Sequence, residues 1–282
     1  MRADVENLTA YQHLVGETAS DTLPAGYVHA LAFPVSMSVM NREDFPLPLL
    51  GMIHLKNRIE QLAPIQFSEQ LDIRSWAENL AGHRAGTQLD VVAEVRSGSS
   101  GDILWRGVST YLAKGVFLPG IDKPGSPNGA SAGDFSPPDP TALWQLGLDT
   151  GRSYATVSGD FNPIHLSVLS AKAWDCGGDQ SRTECIWPRV HLPTSGAVKS
   201  DSFTWDVAFE APVFLPARVA LDITTVQADS GSWERSDYVA WNPPQRQAAL
   251  CRKCCCSGIS CRNGKWRQPP EGDCRHFFVN DK

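Results

Sequence analysis

Apolar and polar positions alternate in short runs through much of the chain, and the period is two wherever charges are interleaved. In MIHLKNRIEQLAPI, starting at Met52, the apolar Ile53, Leu55 and Ile59 are set against Lys56 and Arg58, the pattern of a half-buried strand. EQLDIRSWAENLAGHRAGTQLDVVAEVRSG predicts a pair of strands joined at HRAG, and ILWRGVSTYLAKGV is β-branched and aromatic enough for a further one. Ahead of these, residues 1–26 read as a leader with some helical content, ending in the turn residues LPAGY. YVHALAFPVSMSVMN follows as a largely buried apolar segment, and the two prolines of FPLPLLG exclude a regular helix there.

Residues 118–140, LPGIDKPGSPNGASAGDFSPPDP, hold few groups able to support a core and read as a linker. A second unit starts near Thr141. Its residues 148–158 are expected to be extended, and strands return at FTWDVAFEAPVFL, ARVALDITTVQA and DYVAWN. Residues 27–117 and 141–250 thus both offer an apolar or helical piece followed by antiparallel strands, as in a tandem duplication of one α+β unit.

Composition narrows the function classes. A formal charge of −6 leaves no basic footprint for nucleic acid. No run of about 18 apolar residues is present to span a membrane. The first residues carry Asp4, Glu6 and Glu17 and do not resemble a secretory signal, so a cytoplasmic location is expected. All eight cysteines lie after residue 175, five of them from Cys251 to Cys261, which reads as a reduced, intracellular main body.

The candidate chemistry sits in YATVSGDFNPIHLSVLSAKA, residues 154–173, where Asp160, Asn162 and His165 fall within six residues. Asn162 suits a helix N-cap and Pro163 the first helical position, predicting a helix from Pro163 to about Trp174. His165 would stand on its first turn with Asp160 in the loop before it, and Gly159 lets backbone approach a ligand.

Ser158-Gly159-Asp160-Phe161-Asn162-Pro163-Ile164-His165, preceded by Tyr154 and followed by Ala171, resembles the signature of the MaoC-like (R)-specific enoyl-thioester hydratases, the hydratase 2 group. The two-unit layout is similar to the double hot dog dehydratases, in which a degenerate first hot dog helps bind the acyl chain. The resemblance implies an α+β, tandem hot dog fold: two long central helices wrapped by one continuous antiparallel sheet. It implies reversible dehydration of (3R)-hydroxyacyl thioesters to trans-2-enoyl thioesters, on CoA or acyl carrier protein, with no cofactor or metal. Asp160 and His165 would hold one water and move its protons, with Asn162 orienting water or imidazole, while Tyr154, Ser158, Gly159 and Pro163 would lie against substrate. A homodimer or heterodimer is compatible with it.

Two stretches depart from the family pattern. Its His-Gly pair, whose glycine N–H forms part of the oxyanion hole, is absent: no His-Gly dipeptide occurs, and residues 175–202 are polar and turn-rich. Losing one such donor costs on the order of 100- to 1000-fold in rate, which motivates the alternative of a catalytically impaired acyl-thioester-binding or heterodimer-partner protein. From Cys251, CRKCCCSGISCRNGKWRQPPEGDCRHFF stands where a plain closing strand is expected, and residues 251–282 read as an atypical tail. Cys251 and Cys254 with Cys261, Cys274 or His276 could form a zinc site. A disordered tail is the simpler reading, and a displaced reading frame would account for both stretches.

The remaining candidates have ordinary structural explanations. His29, His54 and His83 read as core or interface histidines, and the tryptophans as core, with Trp76 and Trp105 able to line an acyl tunnel. Lys56, Arg58 and Arg106 could meet a phosphate, or simply be solvated.

Overall fold

The computed structural model describes residues 1–122, 136–159, 201–209, 215–227, 233–242 and 247–257. Three helices lie among them: α1 (Val5–Val15), α2 (Ala25–Met40) and α3 (Thr150–Ser158). The strands are β1 (Met52–Gln61), β2 (Leu71–His83), β3 (Gly86–Ser97), β4 (Ile103–Lys114), β5 (Ala142–Leu146), β6 (Phe203–Phe209), β7 (Ala217–Gln227), β8 (Trp233–Asn242) and β9 (Gln247–Ser257).

All nine strands form one antiparallel sheet in the order β2-β3-β4-β1-β6-β9-β8-β7-β5. Its two halves meet where β1 pairs with β6, from Lys56 opposite Ala208 to Gln61 opposite Phe203. Counted outward from that junction, one half runs first, fourth, third, second strand, and the other repeats the order as β6, β9, β8, β7, with β5 added at the edge. The duplication that the sequence suggests is therefore present in the connectivity. The hairpin at HRAG is found as expected, with His83 opposite Gly86.

Four features differ from the sequence expectation. First, the stretch read as a leader belongs to the core. Asp4 caps α1 by accepting from the Asn7 N–H at 2.8 Å, Gly16 ends it at φ 72°, and Leu8, Tyr11 and Val15 pack with residues of both halves, including Ile59, Trp105, Trp205 and Leu221. Second, β1 carries a bulge between His54 and Lys56. A bulge inserts one residue and exchanges the faces beyond it, so His54 joins Asn57, Ile59 and Gln61 on the inner face while Ile53 is 42% exposed.

Third, residues 148–158 are not extended: Thr150–Ser158 is helical, with Gly151, Tyr154, Ala155 and Ser158 forming its buried i, i+3, i+4, i+7 face. Fourth, the strand expected to be replaced after residue 250 runs on to Ser257. β9 lies between β6 and β8, with Cys251 opposite both Ala208 and Val239 and Cys254 opposite both Trp205 and Ser236. Pairing on both sides specifies a strand here despite an unpromising composition, so the reading of a disordered tail does not apply to Cys251–Ser257. No group of three or more His, Cys, Asp or Glu placed to hold a metal occurs among the described residues, and Cys261, Cys274 and His276 lie outside them.

The apolar α2, whose composition calls for burial nearly all round, lies across β2, β3 and β4. The opposite face of the sheet carries charge. Arg58 meets Glu60 at 3.1 Å and, across the junction, Asp206 at 3.5 Å; Arg106 meets Glu78 at 3.6 Å and Arg96 meets Glu94 at 2.7 Å. Two of the cations singled out as phosphate contacts, Arg58 and Arg106, are thus engaged with carboxylates. Such partly exposed pairs contribute at most about 1 kcal/mol each.

Two predictions follow from the packing. The Trp105 indole lies over Gly107, where an added Cβ would stand 2.3 Å from its Cη2. Gly107→Ala should cost about 1–3 kcal/mol by overpacking; a urea titration giving an unchanged midpoint would show that the indole has room to move. Glu17, just after α1, keeps a buried carboxylate oxygen with no partner among the described residues, and burial raises its pKa from 4.5 to about 7. The folded state then holds this proton more tightly than the unfolded state, so the stabilisation is present at low pH and lost as pH rises through about 7. Glu17→Gln should raise the melting temperature several-fold more at about pH 8 than at about pH 5, whereas equal shifts would mean that packing rather than charge is responsible.

Candidate active site

The approach to the motif is a helix end. Within α3, the Ser158 hydroxyl donates to the Tyr154 carbonyl at 2.9 Å, and both residues are buried. Gly159 takes φ 72°, ψ 7°, and its N–H donates to the Ala155 carbonyl at 3.0 Å, closing the helix in the left-handed manner favoured by glycine. Among the described residues a Cβ added there would meet Pro34 Cγ of α2 at 3.9 Å, an ordinary contact, while the positive φ by itself favours glycine. Asn7 of α1 donates through Nδ2 to the Val157 carbonyl at 3.2 Å. Both N-terminal helices therefore flank the last turn before the motif.

Of the residues assigned to the site, Tyr154, Ser158 and Gly159 are brought together here, while Asp160, Asn162, Pro163 and His165 lie outside the described residues. The motif is thus entered from a helix and not from an extended segment. The spacing of Gly151, Tyr154, Ala155 and Ser158 is the sequence signal for this, and Gly159 is its stop.

The inner face of the sheet near the junction is unexpectedly polar. Asn57 donates through Nδ2 to the Ser109 hydroxyl at 3.2 Å, with both side chains buried. His54 stacks on Tyr111 with centroids 4.3 Å apart and lies 5.3 Å from the Phe209 ring, so it bridges the two halves. His29, reaching down from α2, lies 6.2 Å from Trp105. Burial pushes the His29 pKa down to about 4. It pushes His54 well below the usual imidazole range, helped by the nearby His29. Both rings are accordingly neutral at physiological pH. The two fit the reading as core or interface histidines, but His83 ends β2 at the hairpin, where its Nδ1 accepts from the Ala85 N–H at 3.1 Å.

Asn57, Gln61 and Ser109 are the polar groups of this interior that sequence reasoning passed over. Their signal is parity: Asn57 and Gln61 fall on the same side of the strand as the apolar Ile59 and opposite Lys56 and Arg58. Trp105 is fully buried in the hydrophobic core, as the reading of the tryptophans as core expects. Trp76 instead stands on the edge strand β2 and donates to Glu78 at 2.7 Å.

No protein-family model matches the chain. It is 32% identical over 242 residues to 3-hydroxyacyl-thioester dehydratase X of Mycobacterium tuberculosis, an alignment covering 82% of this chain and 79% of that protein. The crystal structure of HtdX from Mycobacterium tuberculosis superposes with a TM-score of 0.72 at 28% identity, covering 90% of this chain and 96% of that one. A MaoC-like dehydratase shares the fold with a TM-score of 0.67 at 15% identity, over 91% of this chain and 95% of the other. The sequence identity extends over most of both chains, and it joins a shared fold to an intact D-x-N-P-x-H motif: the chain belongs to the MaoC-like family of 3-hydroxyacyl-thioester dehydratases.

Proposed function

We propose that the chain is a hydro-lyase of fatty-acid metabolism that interconverts (3R)-hydroxyacyl thioesters and trans-2-enoyl thioesters carried on CoA or acyl carrier protein. The observation that carries this reading is the complete Asp160, Asn162, His165 set, in a chain of the dehydratase family and immediately after a glycine-capped helix end. The finer architecture proposed is a double hot dog. One central helix is α2, and the other runs from Pro163 to about Trp174, each wrapped by its half of the sheet. Residues 27–117 form the degenerate unit and 141–250, continued through β9, the catalytic one.

In the hydration direction, one member of the Asp160/His165 pair takes a proton from water as the oxygen bonds to C3, and a proton is delivered to C2. Dehydration reverses each transfer, so no net oxidation or cofactor is required. The two groups titrate as a unit, which leaves the division of labour between them to experiment. Asn162 orients the water or the imidazole, and backbone N–H groups polarise the thioester carbonyl. Among the described residues no helix is long and apolar enough to cross a membrane.

A second reading, thioester binding without turnover, alone or as partner to an active relative, is favoured by one observation: the absent His-Gly pair.

Asp160→Asn and His165→Ala should each lower kcat for hydration of crotonyl-CoA or a longer enoyl-CoA by about 100-fold or more, with the melting temperature preserved. A wild-type protein that binds enoyl-CoA but leaves its absorbance unchanged would sink the leading reading and establish the second. Gly159→Ala should lose about 1 kcal/mol of stability and reduce kcat, while Gly159→Asn, which tolerates the left-handed region better, should retain more of both. Equal behaviour of the two variants would mean that the backbone angle is not what matters.

A further inference from the structure

Strand β2 is one edge of the sheet, and the internal duplication shows what an edge of this kind takes. In the second half the corresponding strand β7 is flanked by β5, which pairs from Leu146 opposite Ala217, the first residue of β7, to Ala142 opposite Leu221. Leu146 stands three residues before Asp149, the N-cap of α3. In the first half Met1 stands three residues before Asp4, the N-cap of α1, and it too meets the first residue of the neighbouring strand. Its amino group donates to the Leu71 carbonyl, and its own carbonyl accepts from the Leu71 N–H at 2.8 Å. Met1 is thus the counterpart of Leu146, while the rest of β5 has no counterpart on β2 among the described residues.

The bonds to Met1 fix which groups of β2 are open. Leu71 turns its N–H and C=O away from β3, and alternate residues of a strand do the same. Ile73, Ser75 and Ala77 therefore present N–H and C=O at the edge, a template for one more strand. The bulge between Glu78 and Ala81, where Asn79 takes φ 54°, ends this regular stretch. Arg74, Trp76 and Glu78 alternate with the open residues on the outer face of the sheet. Arg74 is exposed, and Glu78, which accepts from the Trp76 indole and lies 3.6 Å from Arg106, keeps its side chain 37% exposed.

The charges decide which strand fits. A second copy of β2, laid antiparallel about a twofold axis at Trp76, hydrogen-bonds Ser75 of each copy to Ala77 of the other. It also sets Arg74 opposite Glu78 twice, with the two Trp76 side chains facing one another. With the axis at Ser75, Asp72 would oppose Glu78; at Arg74, two arginines would meet; at Ala77, neither Arg74 nor Glu78 would face an opposite charge. One register is therefore favoured over its neighbours. The same register brings the Leu80 end of each strand to the Met1 end of the other. Leu80 is 41% exposed, and a cavity of about 400 Å³ lies at the Met1 end, lined by Met1, Val35, Leu71, Asp72, Ile73 and Arg74.

We infer that the open edge of β2 is a homodimer interface, across which two copies of the chain join their sheets through residues 74–78.

Sedimentation equilibrium of the full chain tests this. Ala77→Pro removes an outward N–H that the single chain does not need for its own sheet, a substitution that edge strands tolerate. Arg74→Glu sets like charges opposite one another twice in the dimer, and Arg74→Glu/Glu78→Lys exchanges the signs and restores the match. The wild type should dimerise at micromolar concentration. Each single variant should weaken the dimer about tenfold or more with an unchanged circular dichroism spectrum, and the double variant should return to within about threefold of wild type. If Ala77→Pro does not fold, the loss in Arg74→Glu and the recovery in the double variant decide. A wild type that stays monomeric to about 100 μM, an affinity too weak for a specific pair, would leave this edge to a different chain and overturn the inference. A dimer indifferent to Arg74→Glu would place the interface elsewhere and overturn it equally.

Discussion

The pairing of β1 with β6 is the contact on which the rest of the molecule depends. Six residues on each side, from Lys56 to Gln61 and from Phe203 to Ala208, turn a four-stranded and a five-stranded array into one sheet. Without it each half would present an open strand edge of unpaired N–H and C=O groups, and the inner faces would form two small cores instead of one. With it, Ile59 and Trp105 of one half and Trp205, Val207 and Leu221 of the other bury together, and α1 packs into the same core. The hydrogen bonds set the register and the shared apolar core supplies most of the stabilisation.

Charge is distributed to suit that junction. On the outer face, Arg58 bonds to Glu60 within its own strand and to Asp206 across the seam, fixing register at modest energetic gain. On the inner face, His54 spans the same seam between Tyr111 and Phe209 as a neutral ring. A charged ring there would need solvent or a counter-ion. The inner face at the seam is therefore polar but uncharged, a medium in which oriented dipoles act strongly because little competes with them.

Much of this was legible in the sequence, and the exceptions share a cause. The strands of the first half show period-two alternation because one face of each is wet, and HRAG marks its turn because only two residues separate the paired ends. The bulge after His54 leaves no local mark, since it is imposed by the register with β4, and it decides which side chains of β1 face inward. Helix α3 was missed because its nine residues are mostly polar and Asp149 makes no capping hydrogen bond. β9 was missed because it is a strand by virtue of β6 and β8 and not by its own composition. Of the candidate site, Asp160, Asn162 and His165 are singled out by their spacing alone, while the helix that delivers Gly159 and the polar groups at the seam depend on tertiary packing.

The position of β9 also bears on how the chain reaches its final state. The first half can close on itself as soon as β4 exists, because β1 finds that partner about fifty residues downstream. The second half cannot: β6 and β8 stay unjoined until Gln247–Ser257 is available to lie between them. During synthesis the finished first half and an unfilled gap in the second would coexist, with β6 able to dock on β1 before its own half is complete. The first half would then serve as the template on which the second assembles, a role in folding that requires no chemistry of it.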